Sequence, residues 1–243
     1  MSGRVAGATA VRVLTQLRHD PRTVALLIVV PCVLLWLVDA IIDDAAFQRV
    51  GLPLAGIFPL VSMFLVTSIA TLRERMSGTL ERLMTMPLAK VDLLGGYGLA
   101  FAAVATVQAL VVMTVAVGAL DLEVAGPLWV AGLLAVANAV LGMALGLFLS
   151  AFASSEFQAV QFMPAFILPQ LVLCGIVAPR STMARPLELL SGMLPITYAY
   201  DGLSRIASDS TVGARVYADF AVIVGFTLAA LALGALTLRR RTP

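Results

Sequence analysis

Residues able to do chemistry are sparse in this 243-residue chain, and the most informative stretch of them runs from 73 to 93. The run Arg73-Glu74-Arg75-Met76-Ser77-Gly78-Thr79 continues as Leu80-Glu81-Arg82-Leu83-Met84, which sets Leu80, Leu83 and Met84 at i, i+3 and i+4. That spacing makes one apolar face of a short helix, with Glu81 and Arg82 projecting elsewhere. Ser77 or Thr79 is suited to cap its start, and Pro87 to end it. Such a helix docks into a groove of another protein or lies on lipid, and periodicity alone does not choose.

A second set of polar groups interrupts otherwise apolar runs. Ser62, Thr67, Ser68 and Thr71 fall in one run, and Gln158, Gln161 and Gln170 in another. The latter also carries Phe157, Phe162, Met163 and Phe166, with Pro164 and Pro169 freeing backbone carbonyls that need other partners. Gln158 and Gln161 share a helical face, for hydrogen bonding between helices or for contact with a transported molecule. Met63, Phe64, Phe162 and Met163 could form an adaptable apolar wall, because methionine repacks around varied ligands; ordinary core or lipid contact is the plainer role.

Several chemistries have no residues to carry them. A phosphate-binding loop needs Gly-x-x-x-x-Gly-Lys-Ser/Thr, and the single lysine, Lys90, sits between Ala89 and Val91. An intramembrane serine protease needs a histidine at membrane depth, whereas His19 precedes the first apolar run. Paired aspartates within the runs, zinc ligands, and a mid-membrane ionisable group for proton coupling are likewise missing. Cys32 and Cys174 lie in apolar runs and read as small buried hydrophobes. With 16 basic against 14 acidic residues, nothing points to nucleic acid.

The elements that must position these groups follow from composition. Hydrophobic residues make up 60% and charged residues 12%, half the charged share of a soluble domain, which is about a quarter. No soluble globule of this size hides so much apolar surface. The expected fold is all-α and integral to a membrane. Runs of about 20 apolar residues give six transmembrane helices, at about 24–42, 53–72, 94–119, 127–153, 157–178 and 220–238. Residues 7–20 form a basic amphipathic helix at the interface, with Ala10, Val13, Leu14 and Leu17 on one side and Arg12, Thr15, Gln16 and His19 on the other. Its alternative is a charged anchor that only sets topology.

The stretch Leu189–Tyr200, broken by Ser191, Gly192 and Pro195, is too short to cross and reads as a re-entrant or interfacial hairpin within 179–215. Gly142-x-x-x-Gly146 reads as close packing inside the chain. Orientation follows the basic residues. Arg4, Arg12, Arg18, Arg22, Arg73, Arg75, Arg82, Lys90 and the Arg239–Arg241 tail share one side. Only Arg49, Arg180, Arg185, Arg205 and Arg215 lie on the other, so both termini are expected in the cytoplasm.

The run Glu74 to Leu83, followed by Met86-Pro87, resembles the cytoplasmic loop of type-two ABC exporter permeases, among them the daunorubicin-resistance-like multidrug efflux permeases. A second match covers Leu173-Cys174-Gly175-Ile176, Pro179, Leu194-Pro195-Ile196-Thr197-Tyr198 and Arg205. One departure stands at Ala178-Pro179-Arg180, where the family has a more apolar turn. The resemblance implies a single permease domain over 1–243 that moves amphipathic drug-like or lipid-like compounds out of a bacterial cell across its plasma membrane. Two permease copies, as a homodimer or related heterodimer, would work with two ABC ATPase subunits, which bind the ATP and Mg; this chain itself would hold no cofactor and be no enzyme. Segment 73–93 would be the coupling helix, with Glu74, Arg75, Leu80, Glu81, Arg82, Leu83 and Met84 facing the ATPase. The second and fifth spans would line the export path through Met63, Phe64, Thr67, Gln158, Gln161, Phe162, Met163 and Phe166. The alternatives are a lipid or polysaccharide exporter permease and, outside transport, a membrane scaffold or regulatory subunit.

Overall fold

The apolar runs become long helices. The computed structural model describes residues 3–77 and 90–237, with side chains over 6–77 and 95–237. Its elements are α1 (Gly3–Arg18), α2 (Pro21–Ile41), α3 (Asp44–Met76), α4 (Lys90–Ala119), α5 (Leu128–Ser150) and α6 (Glu156–Leu173), followed by a 3₁₀ turn at Arg180–Thr182, then α7 (Arg185–Ser191), α8 (Pro195–Ser208) and α9 (Ala214–Thr237). Among the described residues there is no strand. Among the described residues five helices are long and apolar enough to cross a membrane: α2, α3, α4 from Gly95, α5 and α9. Helix α6 has 18 residues and stops at Leu173, short of the expected 178. Its glutamate and three glutamines dilute its apolar character.

Helix α3 is the centre of the fold and packs against α2, α4, α5, α6 and α8. Its 33 residues rise about 50 Å, well past the roughly 30 Å of a hydrocarbon layer. The expected 53–72 span is therefore only the middle of a longer rod whose ends carry charge. Asp43 caps one end by accepting from the Ala46 amide at 2.9 Å, and Arg73 and Arg75 occupy the last turn at the other. Both arrangements suit the helix dipole.

The closest helix contact is between α3 and α5, and glycine makes it possible. A Cβ on Gly142 would overlap the Leu60 carbonyl, and one on Gly146 would overlap the Phe64 carbonyl and Thr67 Oγ1. The small-xxx-small spacing thus serves a seam within the chain. Beside it, Thr67 donates to the Met63 carbonyl at 2.5 Å and lies 3.3 Å from that of Met143. Helix α8 fills the space over Gly56 with Leu203, and buries Ile196, Thr197, Ala199 and Ile206 as well. It is a core element that begins within the stretch read as a re-entrant or interfacial hairpin. Its C-terminal carbonyls are met by the 120–127 connection, where the amides of Ala125 and Gly126 donate to Ala207 and Ile206.

Helices α2 and α9 expose most of their apolar residues, including Leu26, Val33 and Trp36 on the first and Leu228 and Leu236 on the second. Helix α1 packs against α4. Ala6, Thr9 and Val13 are buried, and Gly96 on α4 admits Thr9. Leu14, expected on the apolar face, is exposed, whereas Arg12, expected on the polar face, is half-buried. The contact with α4 accounts for this rotation of α1 about its axis.

Candidate functional site

The last turn of α3 leads into the charged segment 73–93, and the structure builds a junction around it. Glu74 accepts from Arg12 of α1 at 3.2 Å; the same guanidinium nitrogen lies 2.5 Å from the Tyr97 hydroxyl of α4, and its carbon sits 5.6 Å from the centre of that ring. Both charged partners are partly shielded, with side-chain exposures of 31% for Arg12 and 17% for Glu74. A charge-assisted hydrogen bond in such a setting contributes on the order of 1.5–3 kcal/mol. Arg75 donates to the Ser150 carbonyl at 2.5 Å, the negative end of α5. Arg73 forms two parallel bonds, of 2.8 and 2.9 Å, to the Glu156 carboxylate in the first turn of α6. That pair is exposed and worth about 1 kcal/mol or less. Three consecutive residues thus tie the end of α3 to α1, α4, α5 and α6.

Of the residues expected to face an ATPase, Glu74 and Arg75 are placed, and both point into this junction. Leu80, Glu81, Arg82, Leu83 and Met84 lie outside the described residues.

The expected wall of an export path divides in two. Met63, Phe64 and Thr67 are fully buried in the α3–α5 seam and its flank. On α6, Gln161 and Phe166 are exposed, while Phe162 and Met163 are half-buried. One contact joins the groups: Phe64 and Phe166 stack with centroids 6.4 Å apart. Gln158 turns back to its own helix start, where its side-chain oxygen accepts from the amide and hydroxyl of Ser154 at 2.8 Å each. Gln158 and Gln161 therefore do not act as a pair.

Two polar clusters escaped the sequence reading. Pro31 in α2 has no N–H to give the Leu27 carbonyl four residues earlier. Gln108, buried on α4, supplies the missing donor at 2.6 Å and also lies 2.5 Å from Ser62 Oγ. A proline followed by a glutamine on another apolar run is the only signal, and it does not specify the pairing. At the opposite end of the molecule, Asp201 receives Arg180 at 3.0 Å and lies 3.6 Å from Arg205, which also pairs with Asp219 of α9. The i,i+4 spacing of Asp201 and Arg205 was legible. Asp219 was not, because it stands just before the apolar run that marks α9 and yet is buried. Among the described residues no group of His, Cys, Asp and Glu is arranged to hold a metal ion.

The profile of the ABC-2 type transporter family matches residues 6–207, most of the chain. The chain belongs to that family. It is also similar to the "Probable multidrug ABC transporter permease YbhR" of Escherichia coli (strain K12), at 31% identity over 144 residues, covering 58% of this chain and 38% of that protein. A second similarity is to "ABC transporter G family member 20" of Dictyostelium discoideum, at 26% identity over 141 residues, covering 58% of this chain and 19% of that one. The matched part of this ABC-2 chain thus spans about two fifths of its bacterial relative. The matched 6–207 includes all but the first three residues of α1 and the whole junction around Glu74, so both lie within the family's shared region.

Proposed function

We propose that this ABC-2 chain is the membrane-spanning permease subunit of an ATP-driven exporter of amphipathic drug-like or lipid-like compounds in a bacterial plasma membrane. The observation that carries the reading is the junction at the end of α3, in a chain whose family membership covers 6–207. A separate ABC ATPase, in two copies, binds ATP and Mg and grips segment 73–93 from the cytoplasm. Two permease chains stand side by side. Each crosses the membrane six times, with α6 as the short crossing and α7–α8 as a re-entrant hairpin on the external side, and residues 1–243 act as one domain. ATP binding draws the ATPases together, the 73–93 segments move with them, and the ties of Arg73, Glu74 and Arg75 pass that displacement to α1, α4, α5 and α6. Access to the path between the two copies shifts as a population change between two packings. On that path the exposed face of α6, with Gln161 and Phe166, meets the transported molecule, and Phe64 backs it through its stack on Phe166.

The test is docking. Leu83 and Met84 are the apolar anchors and Glu81 and Arg82 the charged rim; truncating a central anchor costs more than ~1–2 kcal/mol at typical interfaces. Leu83→Asp should reach the membrane at normal abundance, lose co-purification with the ATPase and stop drug export. Full co-purification and undiminished export by that variant would remove the segment from the interface.

A further inference from the structure

A cavity of about 540 Å³ opens between α1, α2, α3 and α4, directly beside the Glu74 junction. Its depth is apolar, lined by Leu27 and Val30 of α2, Leu65, Val66 and Ile69 of α3, and Phe101 of α4. Its mouth is charged and holds Asp20, Arg73 and Glu74. Two of those charges are already answered, since Arg73 is engaged by Glu156 and Glu74 by Arg12. Asp20 is not. Its carboxylate caps α2 by accepting from the Thr23 amide at 3.2 Å and the Thr23 hydroxyl at 2.6 Å, and among the described residues no cation is in hydrogen-bond contact with it. Those bonds from Thr23 hold its titration below the ordinary aspartate range, so it is ionised at neutral pH. A carboxylate has about four acceptor positions, and the Thr23 bonds with the Arg22 amide leave at least one for a ligand.

We propose that this cavity is a loading site for amphipathic cations, with the apolar body between α2 and α3 and the positive charge at Asp20. The volume lies within the range of drug-sized ligand sites. The charges select the sign: the lining carries two carboxylates, Asp20 and Glu74, against one guanidinium, Arg73, so a phosphate headgroup meets a net repulsion that a cation turns into attraction. The wall residues Ala70, Arg73 and Glu74 belong to the α3 turn tied to α1, α4 and α6, so occupancy bears on the same turn that feeds the coupling segment. By reciprocity, whatever the coupling segment does to the cavity's affinity, the ligand does to the coupling segment. The site deepens the exporter reading and rests on it for the statement that it loads from the cytoplasmic side.

Binding is tested on the purified full chain in phosphatidylcholine nanodiscs, without ATPase or nucleotide. The probes are tetraphenylphosphonium and tetraphenylborate, which share shape and differ in sign. Wild type should bind the cation saturably, and the borate should compete at least tenfold more weakly. Asp20→Asn keeps a competent helix cap and should weaken the cation roughly tenfold through lost charge attraction, with an unchanged melting temperature. Val30→Trp, at a wall position with free space beside it, should abolish saturable binding by filling the slot. The inference is overturned if wild type binds no cation saturably, if the borate competes equally, or if both variants bind as wild type does. These outcomes are independent of the Leu83→Asp test: failure of docking would remove the exporter reading and leave the binding result standing, and failure of binding would do the reverse.

Discussion

At the scale of single residues, the side chains that matter most are the ones answering a defect elsewhere. Gln108 is the clearest case. A carbonyl freed by Pro31 and left without a donor in an apolar interior would cost about 1–3 kcal/mol, and the Gln108 amide meets it from a different helix. We predict that Gln108→Leu lowers stability toward the lower part of that range, because the Gln108 side-chain oxygen is itself buried without a partner and its removal is a gain. The decisive variant is the double one. Pro31→Ala restores the N–H that bonds Leu27 within α2, so Pro31→Ala/Gln108→Leu should recover most of the loss measured as detergent melting temperature. If the two losses simply add, the Leu27 carbonyl is not what Gln108 serves. Arg12 shows the same logic with charge, turning inward from α1 to meet Glu74 and Tyr97. Neither pairing was legible in sequence. Proline, glutamine and arginine announce that a partner is needed, and the partner lies far along the chain, fixed only by how helices pack.

At the scale of elements, the existence of the helices was legible and their ends were not. An apolar run of about 20 residues has few alternatives to a buried helix, which is why α2, α3, α4, α5 and α9 all match expected spans. The polar turns at the ends of α3 carry no apolar signal, so its full reach from Asp44 to Met76 stayed hidden. Helix α8 likewise runs on past the Leu189–Tyr200 stretch, to Ser208. Gly192 and Pro195 break the run at its start, but Pro195 then occupies the first turn of a helix, where it is tolerated, and the apolar residues that follow are buried against α3.

Helix α5 offers an internal test of what small residues do. Gly146→Ala would drive a methyl into the Phe64 carbonyl and Thr67 hydroxyl of α3, while Gly132→Ala meets nothing nearer than Leu110 Cδ2 at 4.0 Å. Overpacking costs typically 1–3 kcal/mol, and an alanine in open helix gains up to about 1 kcal/mol over glycine. The expected result is a marked fall in melting temperature for Gly146→Ala and none, or a small rise, for Gly132→Ala. Equal effects at both positions would mean that α3 and α5 are not held at glycine contact.

At the scale of the whole molecule, the two ends of α3 are chemically opposite, and function depends on which end faces the cytoplasm. One end gathers Arg12, Arg73, Glu74 and Arg75 and the mouth of the cavity; the other carries Asp43 and Asp44, with the Arg180–Asp201–Arg205–Asp219 network also remote from the junction. The excess of arginine lies with the first end, and short loops rich in Lys and Arg stay inside. The prediction is that segment 73–93 is cytoplasmic and the exposed Asp209 after α8 is external. With Cys32 and Cys174 replaced by alanine, Asp209→Cys should react with a membrane-impermeant maleimide in intact cells, and Arg82→Cys only after permeabilisation. The opposite pattern would place the Glu74 junction outside, beyond reach of any cytoplasmic ATPase, and would open the Asp20 cavity to the exterior. Docking, loading and the direction of export thus stand on one orientation, and this pair of single cysteines decides it before any transport assay.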